Sequence, residues 1–215
     1  ETAVSQFVSD YLETLDTWSV SHAGQKVLTS INLKLFRRSH EFLNEEKGYL
    51  CTFSGLVLKS RTAHLFHVGD SRIYSLRKDE FKLHTRDHQI NIGDGKSLLA
   101  RAVGMDNCLQ IDYSKQQLEE GDQFLLTCDG VHEFIKEKDI VQVLQQDISA
   151  QEKTDTLLKM ALENGSDDNV SCVVIKINGL TKETLDDYST RLTRLPFPPP
   201  LEPGMKLDGY RVIKE

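Results

Sequence analysis

The sequence has little of what several large protein classes require. Asp and Glu (33) outnumber Lys and Arg (26), giving a net charge of −7, whereas binding to a nucleic-acid backbone needs a clustered basic excess. No apolar run is long enough to cross a bilayer. The four cysteines lack the Cys-x-x-Cys spacing of zinc sites. We therefore expect a cytoplasmic protein with no nucleic-acid partner, no membrane span or signal peptide in this segment, and small, buried, reduced thiols.

The composition that is present suits one folded domain. The 215 residues are 39% apolar and 27% charged, which argues against disorder and allows a full core. Apolar residues at helical spacing predict an opening amphipathic helix with one face in the core: Ala3, Val4, Phe7, Val8, Tyr11, Leu12 and Leu15. Since this pattern is already running at residue 1 without a capping residue, we expect further sequence upstream.

Periodicity predicts the remaining elements. Helices are expected over 25–44, 97–102, 138–146 and 151–163, and strands over 50–58, 63–68, 72–76, 81–83, 124–128 and 170–177. The short spacings within 49–83 indicate an antiparallel meander. This order predicts an α+β fold with helices packed over antiparallel sheets. All five prolines lie in 195–203, so we assign 1–178 to the domain, 179–204 to an extended proline-rich linker, and 205–215 to the start of another domain.

Three aspartates stand where predicted strands meet turns. Asp129 follows an apolar strand and precedes Gly130, a residue that lets other backbone approach closely. Asp168 lies in the turn before the last predicted strand, and Asp70 lies in a Gly-Asp-Ser-Arg turn. Aspartates before Gly or Asn are also ordinary turn residues, so spacing alone leaves a plain turn and a metal ligand both open. Three acidic turns at the ends of core strands would suit a hard cation such as Mg²⁺ or Mn²⁺.

Four ordered motifs closely resemble the type 2C family of metal-dependent protein phosphatases. They are HVGDSRIY (67–74), LHTRDH (83–88), LLTCDGV (125–131) and GSDDNV (165–170). The segment SLLARAVG (97–104) also resembles the one that this family places between the second and third motifs. The resemblance covers about residues 1–178, and the order of the motifs makes it far more specific than Gly-Asp-Ser-Arg alone.

The resemblance implies a fold, a chemistry and a set of site residues. The fold is a sandwich of two antiparallel β-sheets flanked by α-helices, with a two-metal Mg²⁺ or Mn²⁺ centre at one end. Asp129 and Asp168 match the aspartates that bind one metal, and Asp70 matches one that helps hold a looser third metal in some members. Supporting roles fall to Gly130, Asn169 and Ser71, and the loop 90–96 corresponds to a flap beside the site. The implied reaction is hydrolysis of phosphoserine or phosphothreonine in proteins by a metal-activated water, with no cysteine nucleophile.

The chain also departs from the family pattern. The family begins upstream with an Arg and an Asp-Gly turn whose aspartate bridges both metals, and neither motif is in this sequence. We therefore expect at most one well-bound metal, and a catalytically incomplete module that binds or regulates a phosphoprotein or a fused kinase is the alternative function. A third alternative, a different metallohydrolase, is disfavoured because no histidine-rich ligand set is present. The closing LDGYRVIK (207–214) resembles the first strand of a protein kinase domain, which implies a kinase fused in the same chain as a partner.

Other polar residues are assigned to structure. The seven histidines are expected to pack in the core or lie on the surface. Arg86 and Asp87 are expected to pair with each other or cap a turn. The basic face of the second helix, with Lys34, Arg37 and Arg38, is expected to be a solvated surface.

Overall fold

The computed structural model describes residues 2–41, 48–93, 96–182, 203–207, 210–211 and 213. The chain divides into two compact units, Glu1–Lys182 and Glu183–Glu215. The first unit carries all the described helices and all the described strands except one short pair. Within the described parts of the chain, no helix is long and apolar enough to cross a membrane.

The chain opens with two helices, α1 (Thr2–Leu12) and α2 (Val20–Glu41). The predicted amphipathic helix is confirmed, but its buried face is narrower than expected. Ala3 and Phe7 are buried, and Tyr11 packs beside them. The other predicted core positions of this segment are exposed, and they are Val4, Val8, Leu12 and Leu15. Helix α2 begins at Val20 rather than near residue 25.

Two antiparallel sheets follow, as predicted. The first has the order β1-β2-β7, formed by Phe53–Lys59, Thr62–Val68 and Asp112–Gln117. The second has the order β4-β3-β8-β9, formed by Glu80–Leu83, Arg72–Arg77, Gln123–Thr127 and Cys172–Lys176. The predicted continuous meander is wrong at one point, because β2 and β3 belong to different sheets. The chain crosses between the sheets in the turn that contains Asp70.

The sheets and helices form four layers with three apolar clusters between them. One cluster joins α1 and α2 to the outer face of the first sheet, for example Phe7 and Leu28 with Phe66. A second lies between the two sheets, where Leu65 packs with Phe124. The third joins the outer face of the second sheet to the later helices, α3 (Asp129–His132), α4 (Glu137–Gln145) and α5 (Ala150–Glu163). This arrangement is the expected helix-flanked sandwich.

The segment after β4 differs from the prediction. Residues 97–102 do not form the expected helix, because Lys96–Leu99 is strand β6 and pairs with β5 (Gln89–Gly93) in a hairpin. This hairpin lies in the loop predicted to correspond to a flap. Short apolar runs fit a helix or a strand equally well in sequence, and cross-strand pairing decides the outcome here.

Two further predictions concern the cysteines and the C-terminal segment. The four cysteines are free, as expected, but the prediction that they are buried is wrong: Cys51, Cys128 and Cys172 are half-buried and Cys108 is exposed. In the second unit, β10 (Lys206–Leu207) pairs with β11 (Tyr210–Arg211). The predicted linker lies largely outside the described residues, and the assignment of 205–215 to a kinase-like start stays a prediction.

Candidate functional site

The pairing of β8 with β9 brings the two predicted metal ligands to the same end of the second sheet. Their register ends with Thr127 opposite Cys172. Asp129 lies two residues beyond Thr127, at the start of α3, and Asp168 lies in the turn that enters β9. Because antiparallel strands place the end of one beside the start of the other, the two aspartate loops adjoin although they are far apart in sequence.

Hydrogen bonds join these loops directly. The Cys128 N–H donates to the Ser171 carbonyl oxygen at 3.1 Å. The Cys128 Sγ donates to the Asn169 carbonyl oxygen at 3.1 Å and accepts from the Ser171 N–H at 3.1 Å. From the other loop, the Ser166 Oγ donates to the Gly130 carbonyl oxygen at 2.8 Å. Side chains from both loops therefore reach the backbone of the facing loop.

Gly130 marks the closest approach of the two backbones. A Cβ atom placed on this residue would lie 2.5 Å from the Asn169 carbonyl oxygen, well inside van der Waals contact. A residue without a side chain is thus required where the Asp129 loop passes the Asp168 loop.

Each aspartate is partly oriented by its own loop. The Gly130 N–H donates to Asp129 Oδ1 at 2.9 Å, and the Asn169 N–H donates to Asp168 Oδ1 at 2.7 Å. Asp129 is half-buried and Asp168 is exposed. In both carboxylates these bonds occupy one oxygen, and no hydrogen bond from another described residue reaches the second oxygen, which leaves it for a ligand. Two such oxygens suit a hard cation of the Mg²⁺ or Mn²⁺ type, which takes about six oxygen ligands, many of them water.

Asp70 does not join the other two aspartates in one metal-binding group. Among the described residues, no three His, Cys, Asp or Glu side chains come together as a candidate metal site. Asp70 Oδ2 instead accepts from Gln89 Nε2 at 3.0 Å. Its neighbour Ser71, predicted to support the site, is hydrogen-bonded through Oγ to Ser54 Oγ at 2.9 Å. The fit to a metal therefore rests on Asp129 and Asp168.

The turn that carries Asp70 is braced by His88, a role that the sequence did not suggest. His88 is 4% exposed. Its Nδ1 accepts from the Gly69 N–H at 3.0 Å, so its Nε2 carries the proton and donates to Asp112 Oδ2 at 3.0 Å. Arg101 pairs with the same carboxylate at 3.2 Å. His88 therefore packs in the core, as expected of the histidines, but it also fixes a turn of the candidate site.

A second brace involves the arginine of the Gly-Asp-Ser-Arg motif. Arg72 donates through Nε and Nη2 to the two oxygens of Asp87 at 3.0 and 2.7 Å. Partial burial by itself would raise the pKa of Asp87, but the bonds and the charge of Arg72 outweigh it and the pKa is lowered. The same bidentate pair raises the pKa of Arg72. The predicted pairing of Arg86 with Asp87 is therefore wrong. Nothing in sequence spacing links Arg72 to Asp87, because strand geometry brings them together.

A buried imidazole lies at the end of α3, the short helix that begins with Asp129. His132 Nδ1 is hydrogen-bonded to Thr127 Oγ1 at 3.0 Å. Burial, followed by the positive charge of Arg72, lowers the pKa of His132 to about 4. The ring is therefore neutral at physiological pH and acts as a packing and hydrogen-bonding group at the base of α3.

Comparisons with known proteins identify relatives by sequence. No protein-family model matches the chain. Protein phosphatase PhpP of Streptococcus pneumoniae is 26% identical over 159 residues, which are 66% of this chain and 65% of PhpP. Serine/threonine phosphatase stp of Listeria innocua is 25% identical over 187 residues, 79% of this chain and 71% of the relative. The chain thus spans slightly less than two thirds of the length of PhpP.

Solved structures with the same fold are also phosphatases. The Mycobacterium tuberculosis serine/threonine phosphatase PstP/Ppp matches with a TM-score of 0.71 at 21% identity, covering 83% of this chain and 82% of that one. The PstP catalytic domain in complex with two manganese ions matches with a TM-score of 0.65 at 21% identity, covering 83% and 81%. At these identities the likeness establishes the fold.

Proposed function

We propose that the chain hydrolyses phosphoserine and phosphothreonine in proteins with the help of Mg²⁺ or Mn²⁺, because its relatives by sequence are named as bacterial protein phosphatases and a solved serine/threonine phosphatase shares its fold. The observation that carries the proposal is the juxtaposition of Asp129 and Asp168 on adjoining loops. Each loop orients one carboxylate oxygen and leaves the other available.

The residues of the site have separate tasks in this proposal. Asp129 and Asp168 hold one divalent cation, and Asp70 remains for a further, looser cation. When bound, such a cation supplies an acidified water and neutralises charge on phosphoryl oxygens. Gly130 lets the two loops approach. The Asn169 carbonyl oxygen accepts from the Cys128 thiol, and the Asn169 N–H donates to Asp168. His132 and the Arg72–Asp87 pair support the strand ends from which the loops leave.

We also propose a substrate, a partner and a cellular location for the enzyme. Its substrate is a phosphoprotein in a signalling system, and its own fused kinase is one such partner. The four unpaired cysteines support a reducing, cytoplasmic location. The alternative of a catalytically incomplete binding module is not favoured, since the relatives found by sequence are named as phosphatases.

The test is Mn²⁺-dependent release of phosphate from a phosphothreonine peptide. Asp129→Asn and Asp168→Asn should each lower kcat/KM by more than the roughly 10- to 100-fold typical of losing an outer-shell partner of a metal. Asp167→Asn is the matched control, because Asp167 is exposed in the same turn and should leave the rate unchanged.

Equal rates for the unaltered chain and Asp129→Asn would remove the proposed role of that carboxylate. A loss confined to Asp167→Asn would show that the neighbouring aspartate, and not Asp168, is the ligand.

A further inference from the structure

We propose that the Cys128 thiol and the Ser166 hydroxyl are positioning residues that fix the separation of the Asp129 and Asp168 loops, and so the affinity of the site for its cation. This inference rests on the proposed function. It gives Cys128 a role that involves neither nucleophilic attack nor metal ligation.

The first support is the place of the thiol at the end of the strand pair. The backbone ladder of β8 and β9 ends with Thr127 opposite Cys172, and one more backbone bond joins Cys128 to Ser171. Beyond that point the Cys128 side chain continues the link. It accepts from the Ser171 N–H and donates to the Asn169 carbonyl oxygen, both at 3.1 Å. A thiol has one donor and weak acceptor capacity, and both are used across the gap between the loops.

The second support is the reciprocal contact from the facing loop. The Ser166 Oγ donates to the Gly130 carbonyl oxygen at 2.8 Å. Cys128 and Gly130 flank Asp129, while Ser166 and Asn169 bracket Asp168. Hydrogen bonds on both sides of each aspartate therefore prevent the loops from separating.

The third support is the close approach of the two loop backbones at Gly130. A Cβ atom on Gly130 would lie 2.5 Å from the Asn169 carbonyl oxygen, so the loops pass at a distance that only glycine at this position allows. Because the hydrogen bonds hold the loops at this short distance, the separation of the two carboxylates is restricted before a cation arrives. Mg²⁺ in particular demands near-ideal geometry, and a shift of about 0.5 Å in a supporting group is enough to degrade such a site.

The inference is tested by direct measurement of Mn²⁺ binding to the full chain, with electron paramagnetic resonance reporting free Mn²⁺. Cys128→Ala removes both bonds and should weaken binding by roughly 10- to 100-fold, the range for outer-shell residues. Cys128→Ser keeps a donor and an acceptor and should restore most of the affinity. Ser166→Ala should weaken binding in the same direction. Cys172→Ala is the matched control, since its Sγ faces the Thr154 carbonyl oxygen on α5 at 3.8 Å.

Unfolding of each variant in chelator shows whether the fold is intact without metal. If Cys128→Ala fails to fold, Ser166→Ala decides the matter. Mn²⁺ affinity unchanged in a folded Cys128→Ala or Ser166→Ala would overturn the inference, while a loss in Asp129→Asn would leave the proposed function standing. Equal weakening in Cys128→Ser and Cys128→Ala would also overturn it, because size and not hydrogen bonding would then matter. If the unaltered chain binds no Mn²⁺, the inference and the proposed function fail together.

Discussion

Burial keeps two histidine rings of the sandwich neutral, those of His67 and His84. Burial lowers the pKa of His67, and the neighbouring His88 adds to the effect. Burial, with a smaller contribution from Lys82, lowers the pKa of His84 to about 4. His84 Nε2 is hydrogen-bonded to Ser75 Oγ at 2.7 Å. Because burial disfavours the charged form of an imidazole, folding opposes the protonation of both rings.

We expect stability to fall with acid through His84. The unfolded chain binds a proton near the ordinary histidine pKa of about 6.5, whereas the folded chain binds it near pH 4. The contribution is thus intact above about pH 6.5 and is lost progressively as the pH falls towards 4. Partial exposure reduces the size of the effect, to on the order of 1–2 kcal/mol.

Urea unfolding at pH 7.5 and pH 5 measures this loss. His84→Gln should lose less stability between the two pH values than the unaltered chain, while His22→Gln, on the exposed surface of α2, should lose the same amount. An identical pH dependence in His84→Gln would contradict the assignment.

At this scale the sequence indicates candidate ligands better than it indicates their supports. Asp129 and Asp168 stand out in the sequence because one directly follows an apolar strand and the other lies in the turn before one. The bonds of Cys128, Ser166 and His88 join segments far apart in the chain, so no local pattern predicts them. The prediction that all apolar positions of α1 lie in the core is wrong for a related reason. Helical spacing indicates which face of a helix is apolar, but not how much of that face is buried.

Elements are held in place by close packing as well as by apolar area. Helix α2 crosses the first sheet with Gly24 against Phe66, whose side chain is fully buried. A Cβ atom on Gly24 would lie 2.3 Å from the Cζ atom of that ring. Glycine in a helix interior normally destabilises the helix by about 1 kcal/mol relative to alanine. In α2 this loss is offset by the closer packing of the helix on the sheet.

We expect Gly24→Ala to destabilise the protein in spite of the better helix propensity. A buried ring packed on all sides cannot swing away, and overpacking of this kind typically costs about 1–3 kcal/mol. Lys26→Ala is the control, because Lys26 is exposed on the same helix. Chemical denaturation of both variants gives the answer, and a stabilised Gly24→Ala would mean that α2 is free to lift from the sheet.

Which elements could be predicted depends on their periodicity. Both N-terminal helices, α4, α5 and the strands β1 to β4, β8 and β9 have clear apolar patterns and were predicted within a few residues. Strand β7 was missed because it is a polar edge strand with the sequence DYSKQQ. The β5–β6 hairpin was missed because its exposed Ile90, Ile92 and Leu98 give no alternation between a core face and a solvent face.

The whole molecule consists of two units that pack internally, and the candidate site lies in the first, Glu1–Lys182. We therefore expect a chain ending at Lys182 to keep the thermal unfolding midpoint of the full chain within about 2 °C, since a change of 1 kcal/mol would move it by roughly 2–4 °C. Its Mn²⁺ affinity should also be unchanged. Calorimetry on both chains measures the midpoint, and a large drop on truncation would show that 183–215 contributes to the folded domain.

The strand pair that carries the two carboxylates also has a kinetic consequence. Asp129 and Asp168 stand at opposite ends of the segment that contains α3, α4 and α5, so no local piece of chain holds both. A cation in the proposed site would gain its second carboxylate only once β8 and β9 have paired, which requires closure of this long loop. Interactions formed after the rate-limiting step of folding act on the unfolding rate. Occupation of the proposed site would therefore prolong the lifetime of the folded chain more than it would hasten its formation.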